Sequence, residues 1–258
     1  MTDITAQSQK LLALHTEPAL LKVVNVWDAI TARVVSDVEG IQALATASHS
    51  IAAAYGYEDG ENIPVELMIE AIGTVVSATD LPVTADLEAG YGNPGETTRK
   101  AISVGAVGAN LEDQMKPLAE SVAAVEAVLA AGQAEGIDFV LNARTDAFVK
   151  AGDRPHADVL ADAIERGSAY LAAGAPVVFV PGGLSEDDIS AIVDVWGPQK
   201  LTLIGVPGSV PLARMEELGV ARVSYGPTSQ SVALMALQDL TQEIVAGGGL
   251  PADFRGLN

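Results

Sequence analysis

Two short acidic clusters, TADLEAGYGN at 84 to 93 and ANLEDQ at 109 to 114, each close an apolar, strand-like run. They place Asp86, Glu88, Glu112 and Asp113 where two neighbouring parallel strands should end. Carboxylates crowded together raise one another's pKa, so such a group is tolerable mainly with a cation among them. A hard, oxygen-seeking divalent ion, magnesium (Mg2+), is the simplest occupant. Asp86 and Glu88 are two apart, so on a regular strand both point to one face, and the next strand lies only ~4.8 Å away. The plain alternative is an Asp capping the following helix and a Glu on a solvated rim. GYEDGE at 56 to 61 brings Asp59 toward the same place, although alone it also reads as an ordinary turn.

Arg144 is the basic residue expected at a strand end on this face. Its guanidinium could take a substrate carboxylate bidentately or stabilise an enolate oxygen, and an ion pair to Asp146 or Glu112 is the competing use. His49 could move a proton, or be a hydrogen-bonded structural residue. Ser48, with the backbone near Ala47, could hold a carboxylate or phosphoryl oxygen. Trp27 and Asp28 close the first strand and complete the expected substrate side with Ala47, Ser48, His49 and Arg144.

These residues need a scaffold that gathers strand ends. Eight runs of strand length recur, at 22 to 29, 41 to 48, 81 to 88, 107 to 113, 138 to 145, 176 to 182, 200 to 207 and 221 to 227. Most are continuously apolar, the pattern of parallel strands covered on both faces. Ala-rich amphipathic stretches at 64 to 79, 95 to 105, 121 to 136 and 157 to 174 fill gaps between them, and Gly105, Gly136, Gly174 and Gly219 stand where helices should end. Eight strand-helix units predict an α/β chain folded as a single (β/α)8 TIM barrel over residues 1 to 258, with an extra N-terminal helix at 2 to 18. An open doubly wound sheet is the alternative, but no G-x-G-x-x-G follows the first strand and no G-x-x-x-x-G-K-[ST] occurs. Strand C-termini build the working face of a barrel, and the reactive side chains concentrate over strands two to five.

The charge balance narrows the partners. Lys plus Arg number 14 against 34 Asp plus Glu, a formal net charge of −20, so nucleic acid and anionic membranes are poor partners. An anionic substrate must be drawn in by a local cation. The absence of cysteine excludes a thiolate nucleophile, a sulfur metal ligand and a disulfide framework. The first twenty residues lack a basic start before an apolar core, and no run approaches the ~20 apolar residues of a membrane span, which predicts a cytoplasmic protein.

NVWDAITAR at 25 to 33, ATASHSIAAAYGYEDG at 45 to 60, DLEAGYGN at 86 to 93, NLEDQ at 110 to 114 and NARTDAF at 142 to 148 together resemble the isocitrate lyase and phosphoenolpyruvate mutase superfamily. The resemblance implies a barrel that binds magnesium and a small α-oxycarboxylate, then makes or breaks a C–C or P–C bond through a pyruvate enolate. It implies Asp86 as direct metal ligand, with Asp59, Glu88 and Glu112 holding metal-bound waters. It gives Asp59, Glu112 and Arg144 catalytic parts, with Arg144 on the substrate's carboxylate or enolate oxygen. It also implies a homo-oligomer, a dimer or a tetramer, in which the helix at 228 to 251 could swap between subunits. The ordinary eighth barrel helix is the other reading of that segment.

The chain departs from the family pattern in ways that bear on the reaction. Isocitrate and methylisocitrate lyases carry a Lys-Lys/Arg-Cys-Gly-His loop after the fourth strand. Here NLEDQMKPLAESV runs almost directly into the next helix, and Lys116 is the remnant. The mutase's phosphonate-handling loop is not recognisable, Pro181 stands where the mutase has a histidine, and Ser48-His49-Ser50 replaces a smaller loop. A shortened lid admits water, which would quench an enolate by protonation. The expected function is therefore a magnesium-dependent lyase that breaks the bond at C3 of a small 2-oxo mono- or dicarboxylate such as oxaloacetate. The alternatives are phosphoenolpyruvate phosphonomutase or phosphonopyruvate hydrolase chemistry, and a metal-dependent 2-oxo acid binding protein without turnover.

Overall fold

The computed structural model describes residues 3–256. Nine short parallel strands alternate with helices: β1 Leu21–Lys22, β2 Val24–Val26, β3 Leu44–Thr46, β4 Val83–Asp86, β5 Gly108–Glu112, β6 Val140–Arg144, β7 Val177–Phe179, β8 Leu201–Ile204 and β9 Arg222–Ser224. All neighbours pair in parallel in the order β1-β9-β8-β7-β6-β5-β4-β3-β2. Because β1 and β2 are separated by Val23 alone, the chain's first strand supplies both ends of this sheet and draws it round into a barrel. The eight predicted strands all appear, the first one interrupted, and each is shorter than its apolar run.

The helices are α1 Ile4–Thr16, α2 Ala29–Ser36, α3 Ser48–Ala54, α4 Val65–Val76, α5 Pro94–Ser103, α6 Leu118–Ala134, α7 His156–Ala172, α8 Glu186–Trp196, α9 Leu212–Glu217 and α10 Thr228–Val245. Local chemistry starts several of them. Asp28 and Thr31 form a capping box on α2, Ser185 and Asp188 form one on α8, and Asn93 with Pro94 opens α5. Gly105 and Gly174, at φ 96° and 103°, turn the chain from α5 and α7 into the next strand.

Strands β3, β7 and β9 are buried at every position, as expected for a sheet with helices outside and side chains filling its interior. The core is aliphatic, with Leu, Ile, Val and Ala from the strands meeting the inner faces of α4 to α8. The extra helix α1 covers the barrel's lower end, where Leu11 and Leu14 pack with Leu21, Val23, Val107 and Val140. Its approach depends on Gly108, where a Cβ would stand 2.9 Å from the Leu11 side chain and 2.6 Å from the Val140 carbonyl oxygen.

The barrel interior also carries a polar thread. Asn142 donates to the Asn110 Oδ1 at 2.8 Å and accepts from Thr202 at 2.7 Å. Arg222, level with Thr202 in the sheet register, is wholly buried beside it, and its Nε and Nη2 have no partner among the described residues.

The segment expected at 228 to 251 forms α10, and its first turn is fixed to the barrel. Ser229 donates to the Asn25 carbonyl at 2.7 Å and Gln230 to the Ser50 carbonyl at 3.0 Å. Beyond that turn the helix stands away from the barrel wall, with Val232, Leu234, Met235, Leu237, Ile244 and Val245 all exposed. An eighth helix laid against its own barrel would bury such a row, so the ordinary barrel-helix reading of this segment is corrected. No helix among the described residues is long and apolar enough to cross a membrane.

Candidate functional site

The C-terminal ends of the strands surround a cavity of about 230 Å3. Ser48, His49, Asp59, Asp86, Asn110 and Arg144 line it from the region of β3 to β6, and Phe179, Pro181, Ile204, Ser224 and Pro227 from the ends of β7 to β9. Strand alternation explains the polar side: Asp86 and Asn110 are register partners, and Glu112 and Arg144 are register partners one step higher.

Asp86 ends β4 facing the cavity. Its Oδ2 accepts from the Ser48 backbone N–H at 3.1 Å and from the Ser48 hydroxyl at 2.8 Å, while Oδ1 has no partner among the described residues. The Thr46 hydroxyl oxygen accepts from the Asp86 N–H and fixes the strand end. Ser48, expected to hold a substrate oxygen, is thus engaged with the carboxylate in this structure. Ala47 and His49 line the cavity, His49 as the one exposed residue of the otherwise buried first turn of α3. Asp59 reaches the rim from its exposed loop.

Glu88 lies beyond the end of β4, at φ 51°, and is buried. Its carboxylate accepts from the Glu61 N–H and from the Tyr91 hydroxyl at 2.6 Å, while Glu61 accepts from the Tyr91 N–H at 2.6 Å. This latch ties the Asp59 loop to the strand end. The same-face argument for Asp86 and Glu88 is corrected here, because the strand has stopped before Glu88. Burial pushes the Glu88 carboxyl above the usual range, and the charges of Asp86 and Asp59 push it further.

Glu112 and Arg144 are paired at 2.9 Å, and Arg144 Nε donates to Asp146 at 2.7 Å. Burial raises the Glu112 carboxyl to about 7; Arg144 opposes the rise, and Asp146 and Asp86 add to it. Burial acts to lower the Arg144 pKa, but the carboxylates of Glu112, Asp146 and Asp86 outweigh it and the net shift is upward, so the guanidinium stays charged. The competing use foreseen for Arg144, an ion pair to Asp146 or Glu112, is realised with both.

Asp113 turns away from this cluster. It accepts from the backbone N–H groups of Met115 and Asp146, from Arg166 at 3.0 Å and from the Tyr170 hydroxyl at 2.7 Å, all on the outer side of the sheet. Asp113 is one residue past β5, but its N–H still donates to the Arg144 carbonyl at 3.0 Å, so the chain stays extended and alternation turns Asp113 outward where Glu112 faces inward. The placement of Asp113 among the cation's carboxylates is corrected accordingly. At the first strand, the Asp28 carboxylate accepts from the Thr31 N–H at 2.8 Å and its hydroxyl at 2.7 Å, and neither Asp28 nor Trp27 lines the cavity.

Among the described residues no three Asp, Glu or His side chains converge into a ready metal-ligand set. The cage of direct carboxylate ligands is therefore not preformed. The donor chemistry still fits a hard cation: all-oxygen, with one free oxygen on Asp86 and two carboxyls, Glu88 and Glu112, held up by burial and by neighbouring negative charge. Magnesium commonly keeps several waters and uses one or two carboxylates, which suits a loose set.

The residue reading missed Asn110, Phe179, Ile204 and Ser224 as cavity lining. Asn110 was legible in principle, two positions before Glu112 on one strand face; the others come from strands whose ends carry no reactive group.

The family described as phosphoenolpyruvate phosphomutase matches residues 11–245. A protein of Burkholderia cenocepacia J2315 described as a candidate phosphonomutase superposes with a TM-score of 0.87 at 39% identity, over 93% of this chain and 99% of that one. The 2,3-dimethylmalate lyase of Eubacterium barkeri is 28% identical over 231 residues, 83% of this chain and 77% of the lyase. The oxaloacetate decarboxylase of Rhodopseudomonas palustris (strain HaA2) is 27% identical over 255 residues, 96% of this chain and 87% of the decarboxylase.

Proposed function

The chain belongs to the isocitrate lyase and phosphoenolpyruvate mutase superfamily of lyases and mutases, and from that premise we propose that it breaks the bond between C3 of a small 2-oxo carboxylate and its substituent. The observation that carries this reading is the pairing, across one cavity, of an Asp86 oxygen without a partner and the Arg144 guanidinium. Asp86 would hold magnesium directly, with Asp59, Glu88 and Glu112 reaching its water shell. The bound ion would chelate the 2-oxo acid and lower the barrier to a pyruvate enolate.

The protein's own groups do the rest. Arg144 stays cationic between Glu112 and Asp146 and balances negative charge developing on the substrate oxygen. Asp113 braces it, because the Asp146 N–H donates to Asp113, which Arg166 and Tyr170 hold in turn. The connection from β5 to α6 is only residues 113 to 117, so the mouth has no long lid there and water can reach the enolate to protonate it. Oxaloacetate is the first substrate to try, a choice supported by the names of relatives that include an oxaloacetate decarboxylase.

Phosphonomutase or phosphonopyruvate hydrolase chemistry is the second reading, favoured by the 39% identity to the candidate phosphonomutase. A magnesium-supplemented screen of small 2-oxo acids and phosphonopyruvate, followed for pyruvate and by phosphorus NMR, separates the two. Asp86→Ala should lower turnover roughly a hundredfold or more and weaken magnesium binding. Unchanged metal affinity and turnover in that variant would refute the assignment. Tight 2-oxo acid binding with no product would point to a binding protein instead.

A further inference from the structure

Resting on that reading, the polar thread inside the barrel decides what Asn110 offers the cavity. Asn110 is a register partner of Asp86 on one side and of Asn142 on the other, so the three side chains share the inner face of the sheet. It is 7% exposed and lines the cavity. An amide has an acceptor end and a donor end, and here the acceptor is spent, because Asn110 Oδ1 accepts from Asn142 Nδ2 at 2.8 Å. Asn142 is held in turn by the Thr202 hydroxyl, which donates to its Oδ1 at 2.7 Å. The Asn110 NH2 is left over, facing the cavity side of the thread with no partner among the described residues.

The direction of the thread is set at its foot. A hydroxyl can donate or accept, so Thr202 alone would allow both amides to reverse. Arg222 removes that freedom. It is the register partner of Thr202 and shares its face, it is wholly buried, and its Nε and Nη2 have no partner among the described residues. Burial lowers its pKa to about 10 and the charge of Asp86 opposes the fall, so it is a cation at neutral pH. In the observed direction the oxygen end of each amide lies on the Thr202 side, toward that cation, and the NH2 end on the cavity side. The reverse would set the Thr202 hydroxyl proton beside a buried charge that already lacks acceptors.

We infer that Asn110 is a substrate-binding residue whose NH2 donates to an oxygen of the substrate's acid group, and that Thr202 and Arg222 are positioning residues that hold the amide in this sense. Arg144 stands two positions beyond Asn142 on β6 and is the diagonal neighbour of Asn110 on the inner face, so one acid group can accept from both. The same commitment keeps Asn110 Oδ1 from a cation. Asp86 serves the metal and Asn110 the substrate.

Oxalate is the probe, a flat dianion whose oxygens match the carboxylate and the C2 oxygen of a pyruvate enolate. Calorimetric titration of the whole protein gives the magnesium affinity, and then the oxalate affinity with magnesium present. Asn110→Ala should weaken oxalate roughly ten- to a hundredfold, the worth of one donor to a charged acceptor, and leave magnesium affinity within about twofold. Thr202→Val keeps the side chain's shape without its hydroxyl and should weaken oxalate about three- to tenfold. Arg222→Met should do the same, and Arg222→Lys, which keeps the cation, should restore most of the loss. Unchanged oxalate affinity in Asn110→Ala, or a matching loss of magnesium affinity, overturns the inference; unchanged affinity in Thr202→Val, or equal losses in Arg222→Met and Arg222→Lys, overturns the positioning roles.

A second readout needs no variant to fold. The chain has six asparagines, so selective 15N-asparagine labelling gives a sparse side-chain spectrum in which the Asn110 NH2 pair should move downfield when oxalate is added. Asn25, the other asparagine of the lining, donates to the Thr46 carbonyl and should hold still. In Thr202→Val the move should shrink, which loss of stability alone does not produce. No moving pair in the unmodified protein with oxalate bound sinks the inference alone, whereas failure of that protein to bind oxalate with magnesium present sinks the proposed function and the inference with it.

Discussion

His15 makes acid stability a quantitative test of how α1 is docked. It is wholly buried in α1, and its Nδ1 donates to the Leu11 carbonyl at 2.8 Å. A carbonyl only accepts, so in the neutral ring Nδ1 carries the hydrogen and Nε2 is a bare acceptor, one that has no partner among the described residues. Burial first, and then the charge of Arg222, lower the His15 pKa from 6.5 to about 3. A group whose folded value is depressed contributes stability that is fully present above its unfolded pKa and is lost as pH falls toward the folded one. The window is therefore from about 6.5 down to 3. At pH 5 the loss is about 2 kcal/mol, from 1.36 kcal/mol for each of roughly 1.5 pH units.

Urea unfolding at about pH 7.5 and pH 5 measures it. The unmodified protein should lose about 2 kcal/mol more between these pH values than His15→Gln, because every other titrating group is common to both. Arg222→Met should shrink the loss without abolishing it, since burial is the larger cause. Equal pH dependence in the unmodified protein and His15→Gln would refute the argument.

Three further outcomes follow from the same geometry. Asp113→Ala should cost about 3–5 kcal/mol by stranding Arg166 and Tyr170, and should lower turnover through Asp146 and Arg144 while leaving magnesium affinity nearly intact; chemical denaturation and calorimetric metal titration check both, and lost metal affinity at unchanged stability would contradict the outward placement. Gly167→Ala would set a Cβ 2.0 Å from the Trp196 ring, so denaturation should show a loss of at least about 2 kcal/mol. Leu234→Glu with Leu237→Glu on the exposed run of α10 should yield a smaller particle by light scattering than the unmodified chain, and equal sizes would mean that this row does not join subunits.

The fold was readable because its signal is redundant: eight apolar runs, each bounded by a helix end or a glycine, agree on one architecture. The runs overstated strand length at their C-terminal ends, where 81 to 88 became Val83–Asp86 and 200 to 207 became Leu201–Ile204. Those ends are where the chain leaves the sheet to build the cavity mouth, and an apolar run carries no mark of that departure. The gathering of the named residues at one end of the barrel was readable to the level of individual strands. Asp86, Ala47, Ser48, His49, Asp59 and Arg144 do share one cavity. Two-residue spacing failed for Glu88 because it presumes a continuing strand, and Glu88 already has a positive φ.

Asp113 shows what a cluster of like residues conceals. Glu112 and Asp113 look equivalent in the sequence, yet the extended chain, continued past β5 by the Asp113 N–H to the Arg144 carbonyl, turns one inward beside Arg144 and the other outward. Asp113 accepts from the Asp146 N–H, and Asp146 accepts from Arg144 Nε, so the outward carboxylate sets where the guanidinium stands. Arg166 and Tyr170 come from α7, more than fifty positions along the chain, and nothing near 113 in the sequence announces them. A charge that looks like a ligand from its neighbours can thus be a brace, and only partners distant in sequence distinguish the two. The distinction has a chemical consequence. With Asp113 committed to α7, the inward face keeps Glu112 paired with the Arg144 guanidinium and leaves one Asp86 oxygen free toward the cavity.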